Sequence, residues 1–182
     1  REAISHDPDW TAAPKGAYKD GVFYIEDMAR TRGNPGDVEQ FIKATALMDS
    51  QLVEIAIEEE GGSGGKMTIS HYTRTVLRGY TVVGQRPVGA KPQRARIGSA
   101  AAQSGNVKIV CGNDDLIPPA WYRALMAELE AFPLGSHDDQ VDGLSLAFAL
   151  LREDEPAAMA TGQSLASPSR SRPSVFGGRR PA

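Results

Sequence analysis

At 182 residues, with 41% hydrophobic and 24% charged side chains and a net charge of −3, the chain has the size and make-up of one well-cored globular domain. It has no apolar run of membrane-spanning length and no secretory signal pattern, which excludes a helical membrane protein and makes the cytoplasm the expected compartment. The single cysteine, Cys111, excludes an internal disulfide and a cysteine metal cluster, and within Val-Lys-Ile-Val-Cys it reads as a small core residue.

Residue 1 is Arg and the first recognisable element follows within a few residues, so the sequence reads as a piece of a longer chain. His6-Asp-Pro-Asp-Trp-Thr11 is a turn leading into a doubtful strand over residues 11–18, which Pro14 and Gly16 interrupt. Lys19-Asp-Gly21 predicts a hairpin turn, and Gly21 to Asp27 a strand. Asn34-Pro35-Gly-Asp37 starts a helix, with Asn34 as cap and Pro35 in the first turn. Its inner face is Val38, Phe41, Ile42 and Thr45, and it runs to about Asp49.

Gln51 to Ile57 is a buried-type strand ending in Glu58-Glu-Glu60. Alternation puts Glu58 and Glu60 on one face of that strand and Glu59 on the other. Gly61 to Gly65 turns the chain into a helix with Ile69, Tyr72, Thr73, Val76 and Leu77 inside, stopped by Gly79. Glu60 and Met67 stand where a Walker loop needs Gly and Ser or Thr, so the glycines predict a tight strand-to-helix turn. Thr81 to Val88 is a further strand, Pro92 to Ser104 an Ala-rich helix, and Val107 to Cys111 a short strand. After Pro118-Pro119 comes a helix with Trp121, Leu125, Leu129 and Phe132 facing inward.

The last element carries the chemistry. Pro133 and Gly135 break the preceding helix, Ser136 can cap a new one, and Asp139 stands where a capping-box acid would be. Val141, Leu144, Phe148 and Leu151 recur at helical spacing as a buried stripe. Asp138, Asp139 and Asp142 are i, i+1 and i+4, so Asp142 shares a face with both of the others. The helix macrodipole accounts for acids in the first turn, but not for Asp142. Carboxylates this close repel unless a cation lies between them, which points to a divalent metal site.

Charge is laid out unevenly. Between Gly61 and Asn113 there is no Asp or Glu, while Lys66, Arg74, Arg78, Arg86, Lys91, Arg94, Arg96 and Lys108 all fall there. An all-basic middle predicts a polyanion partner, and basic surface flanked by carboxylates is the charge plan of a nuclease. His6, His71 and His137 have no ligand spacing, and no serine sits in an elbow sequence, so nothing supports a Ser/His/Asp hydrolase. Strands alternating with helices after a hairpin predict an α/β fold, a mixed sheet covered by helices on both faces. The domain is expected over residues 1–153. Residues 154–182, rich in Ser, Pro, Gly and Arg, are expected as a disordered tail.

Ile55-Ala-Ile-Glu-Glu-Glu-Gly-Gly-Ser-Gly-Gly-Lys66, Gly89-Ala-Lys-Pro-Gln-Arg-Ala95, Ser104-Gly-Asn-Val107 and Glu130-Ala-Phe-Pro-Leu-Gly-Ser-His-Asp-Asp-Gln-Val-Asp142 follow in an order that resembles the C-terminal nuclease domain of tailed-phage terminase large subunits. Asp9-Trp-Thr11 and Arg30-Thr-Arg-Gly-Asn-Pro-Gly-Asp-Val38 fit the same family, so the likeness covers about residues 7–150. The resemblance implies a ribonuclease H-like fold and two-metal cutting of concatemeric double-stranded DNA with Mg²⁺ or Mn²⁺. It implies catalytic, metal-holding acids at Glu58, Asp139 and Asp142, with Glu60 and Asp138 as adjacent alternatives. It further implies a DNA backbone surface at Lys91, Arg94 and Arg96, and the terminase small subunit and portal as partners. Another catalytic aspartate is expected on a first strand upstream, which this sequence lacks. Ala90 stands where the family carries an acid, and Pro14 disturbs the second strand. The rival readings are a Holliday-junction resolvase, whose fold also ends in an Asp-x-x-Asp helix, and a non-catalytic DNA-binding or assembly module.

Overall fold

The computed structural model describes residues 10–112 and 117–153. The expected N-terminal turn at His6 to Asp9 and the expected tail lie outside the described residues. Thr11–Lys19 (β1) and Val22–Thr31 (β2) form an antiparallel hairpin, and Val107–Ile109 (β5) adds to β2 in parallel, giving the order β1-β2-β5. Glu54–Glu58 (β3) and Thr81–Gln85 (β4) pair in parallel as a second sheet. The helices are Pro35–Asp49 (α1), Ser63–His71 (α2), Lys91–Arg94 (α3), Arg96–Gln103 (α4), Tyr122–Ala131 (α5) and Asp139–Glu153 (α6). No helix among the described residues is long and apolar enough to cross a membrane.

Local chemistry sets several of these elements. Asp20 and Gly21 both have positive φ, at 53° and 81°, so the expected hairpin turn is a two-residue one matched to strand twist. Asn34 accepts from the Gly36 and Asp37 amides while Asp37 reaches back to the Asn34 amide, a full capping box at the start of α1.

Elsewhere tertiary context overrides the expectation. β1 is one continuous strand through Pro14 and Gly16, with its register shifted between Lys15 and Gly16. It is the outer strand of its sheet among the described residues, where a proline is tolerated. Gly16 is required at the shift, since a Cβ there would lie 2.8 Å from the Tyr24 carbonyl oxygen. After α2 the helix widens into a π-helical turn, Tyr72–Val76, closed by Leu77 N–H donating to Tyr72 O at 2.8 Å. The extra residue rotates the face: Leu77 is fully buried, while Thr73, expected inside, is exposed. The expected helix from Pro92 to Ser104 is broken into α3 and α4 at Ala95. On α5 the buried positions are Leu125 and Glu128, and Leu129 points outward. Cys111 is half-buried rather than a core residue.

Two apolar clusters hold the elements together. One joins Ala13, Ile42, Ala46, Ile55, Leu77 and Leu150. The other joins Phe23, Ile25, Met28, Leu125, Leu144, Phe148 and Leu151. α6 contributes to both, and it lies close on β1: a Cβ at Gly143 would come 3.1 Å from Pro14 Cδ.

One charge is buried beside the first cluster. Lys15 Nζ, from the bulge in β1, pairs with Asp49 at 3.3 Å and with Glu26 at 3.6 Å. Burial pushes the Asp49 carboxyl above its usual range, against the opposing pull of Lys15. Such an acid contributes most to stability when protonated, and that contribution is lost as pH rises through its folded value. Lys15→Met removes the opposing pull, so it should cost about 3 kcal/mol at pH 7, the scale of a broken buried pair. The loss should shrink toward pH 4 as Asp49 protonates. Urea midpoints at the two pH values check this; an equal loss at both would mean that Asp49 is not the responsive group.

Candidate active site

β3 ends at Glu58, and the chain must then turn sharply to start α2. Gly62 takes φ of 92°, and a Cβ at Gly65 would overlap the Glu60 carbonyl oxygen, so α2 folds back tightly on the strand end. The strand alternation expected for the three glutamates is what the structure shows. Glu58 and Glu60 border a cavity of about 650 Å³, whereas Glu59 turns to the other side and accepts from Arg86 at 2.6 and 3.1 Å.

The same cavity is bordered by Thr11 to Pro14 of β1, by Ile55 to Ile57 of β3, and by Asp139, Asp142 and Gly143 of α6. Glu58, Asp139 and Asp142, widely separated in sequence, therefore share one rim. β1 and β3 each pair with only one strand among the described residues, and the cavity lies along both.

α6 begins later than Ser136. The Asp142 amide donates to the Asp138 carbonyl at 2.8 Å, so Asp138 precedes the first helical residue, Asp139, and Ser136 is exposed in the turn before it. Asp138 does not border the cavity. Its carboxylate accepts from Lys91 Nζ at 2.7 and 2.8 Å. Asp142 accepts from Arg94 at 2.7 Å and pairs with Lys91 at 2.9 Å. The hydrogen bonds to Asp138 and then to Asp142 hold Lys91 firmly protonated, well above the usual lysine range. Two residues expected to grip DNA, Lys91 and Arg94, thus lie on the carboxylates of Asp138 and Asp142, which the sequence did not suggest. Arg96, the third expected DNA contact, is exposed at the start of α4.

Asp139 faces His137, whose Nδ1 lies 3.9 Å from its carboxylate, and His137 Nε2 is 3.0 Å from Arg32. Arg30 and Arg32 both stack on Trp10, at 4.2 and 4.1 Å from the ring centroid. A cationic shoulder next to Asp139 comes from this stack, outside the acid-free segment.

The donors on the rim are carboxylates, the hard oxygen ligands that suit Mg²⁺ or Mn²⁺. They fit such an ion in kind but are not gathered for it. Among the described residues no three acids, histidines or cysteines stand close enough together to hold a metal.

The family whose description is "Terminase RNaseH-like domain" matches residues 3–151. No curated protein matches the chain.

The tight turn at Gly65 supports the glutamate rim and can be tested against its neighbour. Gly65→Ala should cost about 1–3 kcal/mol, because the new methyl meets backbone rather than a movable side chain. Gly64→Ala, with open space around its Cβ, should be neutral or gain up to about 1 kcal/mol. Denaturant midpoints of the two variants measure the contrast; equal effects would mean that the turn relaxes.

Proposed function

The chain belongs to the terminase RNaseH-like domain family, and on that footing we propose that it is the metal-dependent endonuclease domain of a phage DNA-packaging terminase. It has the ribonuclease H-like mixed α/β fold of that family, and it is a terminase nuclease-type domain. The finer reading is two-metal hydrolysis of concatemeric double-stranded DNA, with the terminase small subunit and portal as partners in the host cytoplasm. Its main support is the convergence of Glu58 from a strand end with Asp139 and Asp142 from a helix on one open cavity.

Glu58, Asp139 and Asp142 would hold the ions, with Glu60 in reach of the same rim. Mg²⁺ or Mn²⁺ bound there supplies activation of the attacking water and neutralisation of the leaving oxygen. The remaining work falls to the chain's own cations. Lys91 and Arg94 now lie on Asp138 and Asp142. Once the acids are engaged elsewhere, these two cations are released to phosphate, and Arg96 stands exposed beside them. Phosphate contacts of this kind position the duplex without reading its sequence.

The scattered acids favour a second reading. Because no three of them form a ready cluster among the described residues, the domain as it stands fits a DNA-binding module as well. A further strand seated along β1 and β3, bringing an aspartate to the rim, would convert one into the other.

Plasmid cleavage in Mn²⁺ distinguishes the two. The 182-residue chain should cut feebly or not at all, and a longer chain carrying an aspartate-bearing strand upstream should cut linear and supercoiled duplex without sequence preference. Glu58→Ala and Asp139→Ala should each abolish that cutting. Persistent cutting in both variants sinks the proposal, a preference for four-way junctions supports a resolvase, and continued inactivity supports the binding module.

Binding can be tested separately from cutting. Changing Lys91, Arg94 and Arg96 together to Ala should lower the slope of log affinity against log salt by about 2–3, near one per phosphate contact. An unchanged slope would move the DNA surface elsewhere, with Arg30 and Arg32 the next residues to vary.

A further inference from the structure

The first turn of α6 is capped from outside the helix. With Asp138 preceding it, the second and third helical residues are Gln140 and Val141, whose amides an N-cap side chain ordinarily satisfies. Here both donate to one oxygen of Glu128 on α5, at 2.6 and 3.1 Å. The Gln140 side-chain amide donates to the other oxygen at 2.6 Å. Glu128 is only 8% exposed and Gln140 1%. A carboxylate buried to that extent needs several donors, and the positive end of a helix provides them. Asp138 is the residue placed to cap those amides itself, yet both of its oxygens go to Lys91.

We propose that Glu128 is a positioning residue for the acidic site, capping α6 in place of Asp138 and so fixing the direction in which Asp138, Asp139 and Asp142 present their carboxylates. This rests on the reading of the cavity as a metal site. Without the Glu128 carboxylate, the Gln140 and Val141 amides are left buried and unpaired, and the residue just before the helix whose side chain can cap them is Asp138. Its capture would strip Asp138 from Lys91 and twist the turn that carries Asp139. Glu128 touches neither substrate nor ion; it acts through the helix it caps.

The test uses the full chain, Mn²⁺ alone as the probe, and titration calorimetry. Glu128→Gln keeps the shape and one acceptor oxygen for the two backbone amides, but it removes the charge at the helix end and sets an NH2 against the Gln140 side-chain amide. It should weaken Mn²⁺ binding about tenfold or more, the usual effect of a group supporting metal ligands. Leu125→Val on the same helix, a destabilising change away from the cap, should leave Mn²⁺ affinity unchanged. Wild-type affinity in Glu128→Gln, or an equal loss in Leu125→Val, overturns the proposal. Carbon-detected NMR of the metal-free protein reads the capping directly. The Asp138 carboxyl signal should move in Glu128→Gln, and also in the milder Glu128→Asp, and an unmoved signal in both overturns it. If the wild-type chain takes up no Mn²⁺, the metal reading fails on its own, and the NMR comparison still decides whether Glu128 sets the Asp138 carboxylate.

Discussion

The acidic end of the fold depends on how closely α6 lies against its neighbours. Two glycines set that distance from opposite sides. Gly143 lets the helix rest on Pro14 of β1, and Gly98 of α4 makes room for Phe148, where a Cβ would fall 2.7 Å from the ring. A Cβ at Gly143 would press on Pro14, and one at Gly98 would force the Phe148 ring to shift, so a side chain at either position disturbs the seat of α6. Asp142 adjoins Gly143 and Asp139 lies one turn earlier, so the same contact that packs the helix also brings both carboxylates to the rim bearing Glu58. Core packing and site geometry are here one constraint.

The electrostatics are arranged around reversible pairs. Arg86 neutralises Glu59, while Lys91 and Arg94 neutralise Asp138 and Asp142. About half of the Lys91 side chain is exposed. An ion pair made by so exposed a lysine contributes little to stability, commonly about 0–1 kcal/mol. Exchanging the partners of Lys91 is correspondingly cheap, whereas the Arg94–Asp142 pair is mostly covered and the Lys15–Asp49 pair is buried. The acid-free middle of the sequence thus serves two ends: part of it balances the chain's own carboxylates, and part remains exposed, as Arg96 does.

What was legible in the sequence is what local chemistry decides. The capping box at Asn34 and Asp37, the turn at Asp20-Gly21, and the split of Glu58 and Glu60 from Glu59 depend on residues a few positions apart. The identity of the acids on the rim followed from their order along the chain, set beside a known family. The misses have tertiary causes. Pro14 and Gly16 look like strand breakers until β1 is known to be, among the described residues, an outer strand with a bulge. Thr73 leaves the core because a π-helical turn adds one residue to the period. Glu128 occupies an inward position that a hydrophobic pattern assigns to Leu129, because its partners are backbone amides of another helix. A glutamate on the apolar face of a helix, just before a break and a second helix, is the signal that could have found it.

The two strand margins along the cavity have unequal consequences for how the domain behaves in concentrated solution. On β1 the margin carries Pro14, the bulge and the close cover of Gly143, all of which discourage a stray chain from pairing there. On β3 the margin runs through Ile55, Ala56 and Ile57, without proline or bulge and bracketed by Glu54 and Glu58. Its shortness and its two end charges blunt it, but of the two margins it is the one whose backbone no proline or bulge withholds from β-pairing. Self-association of this domain should therefore begin at β3 rather than at β1.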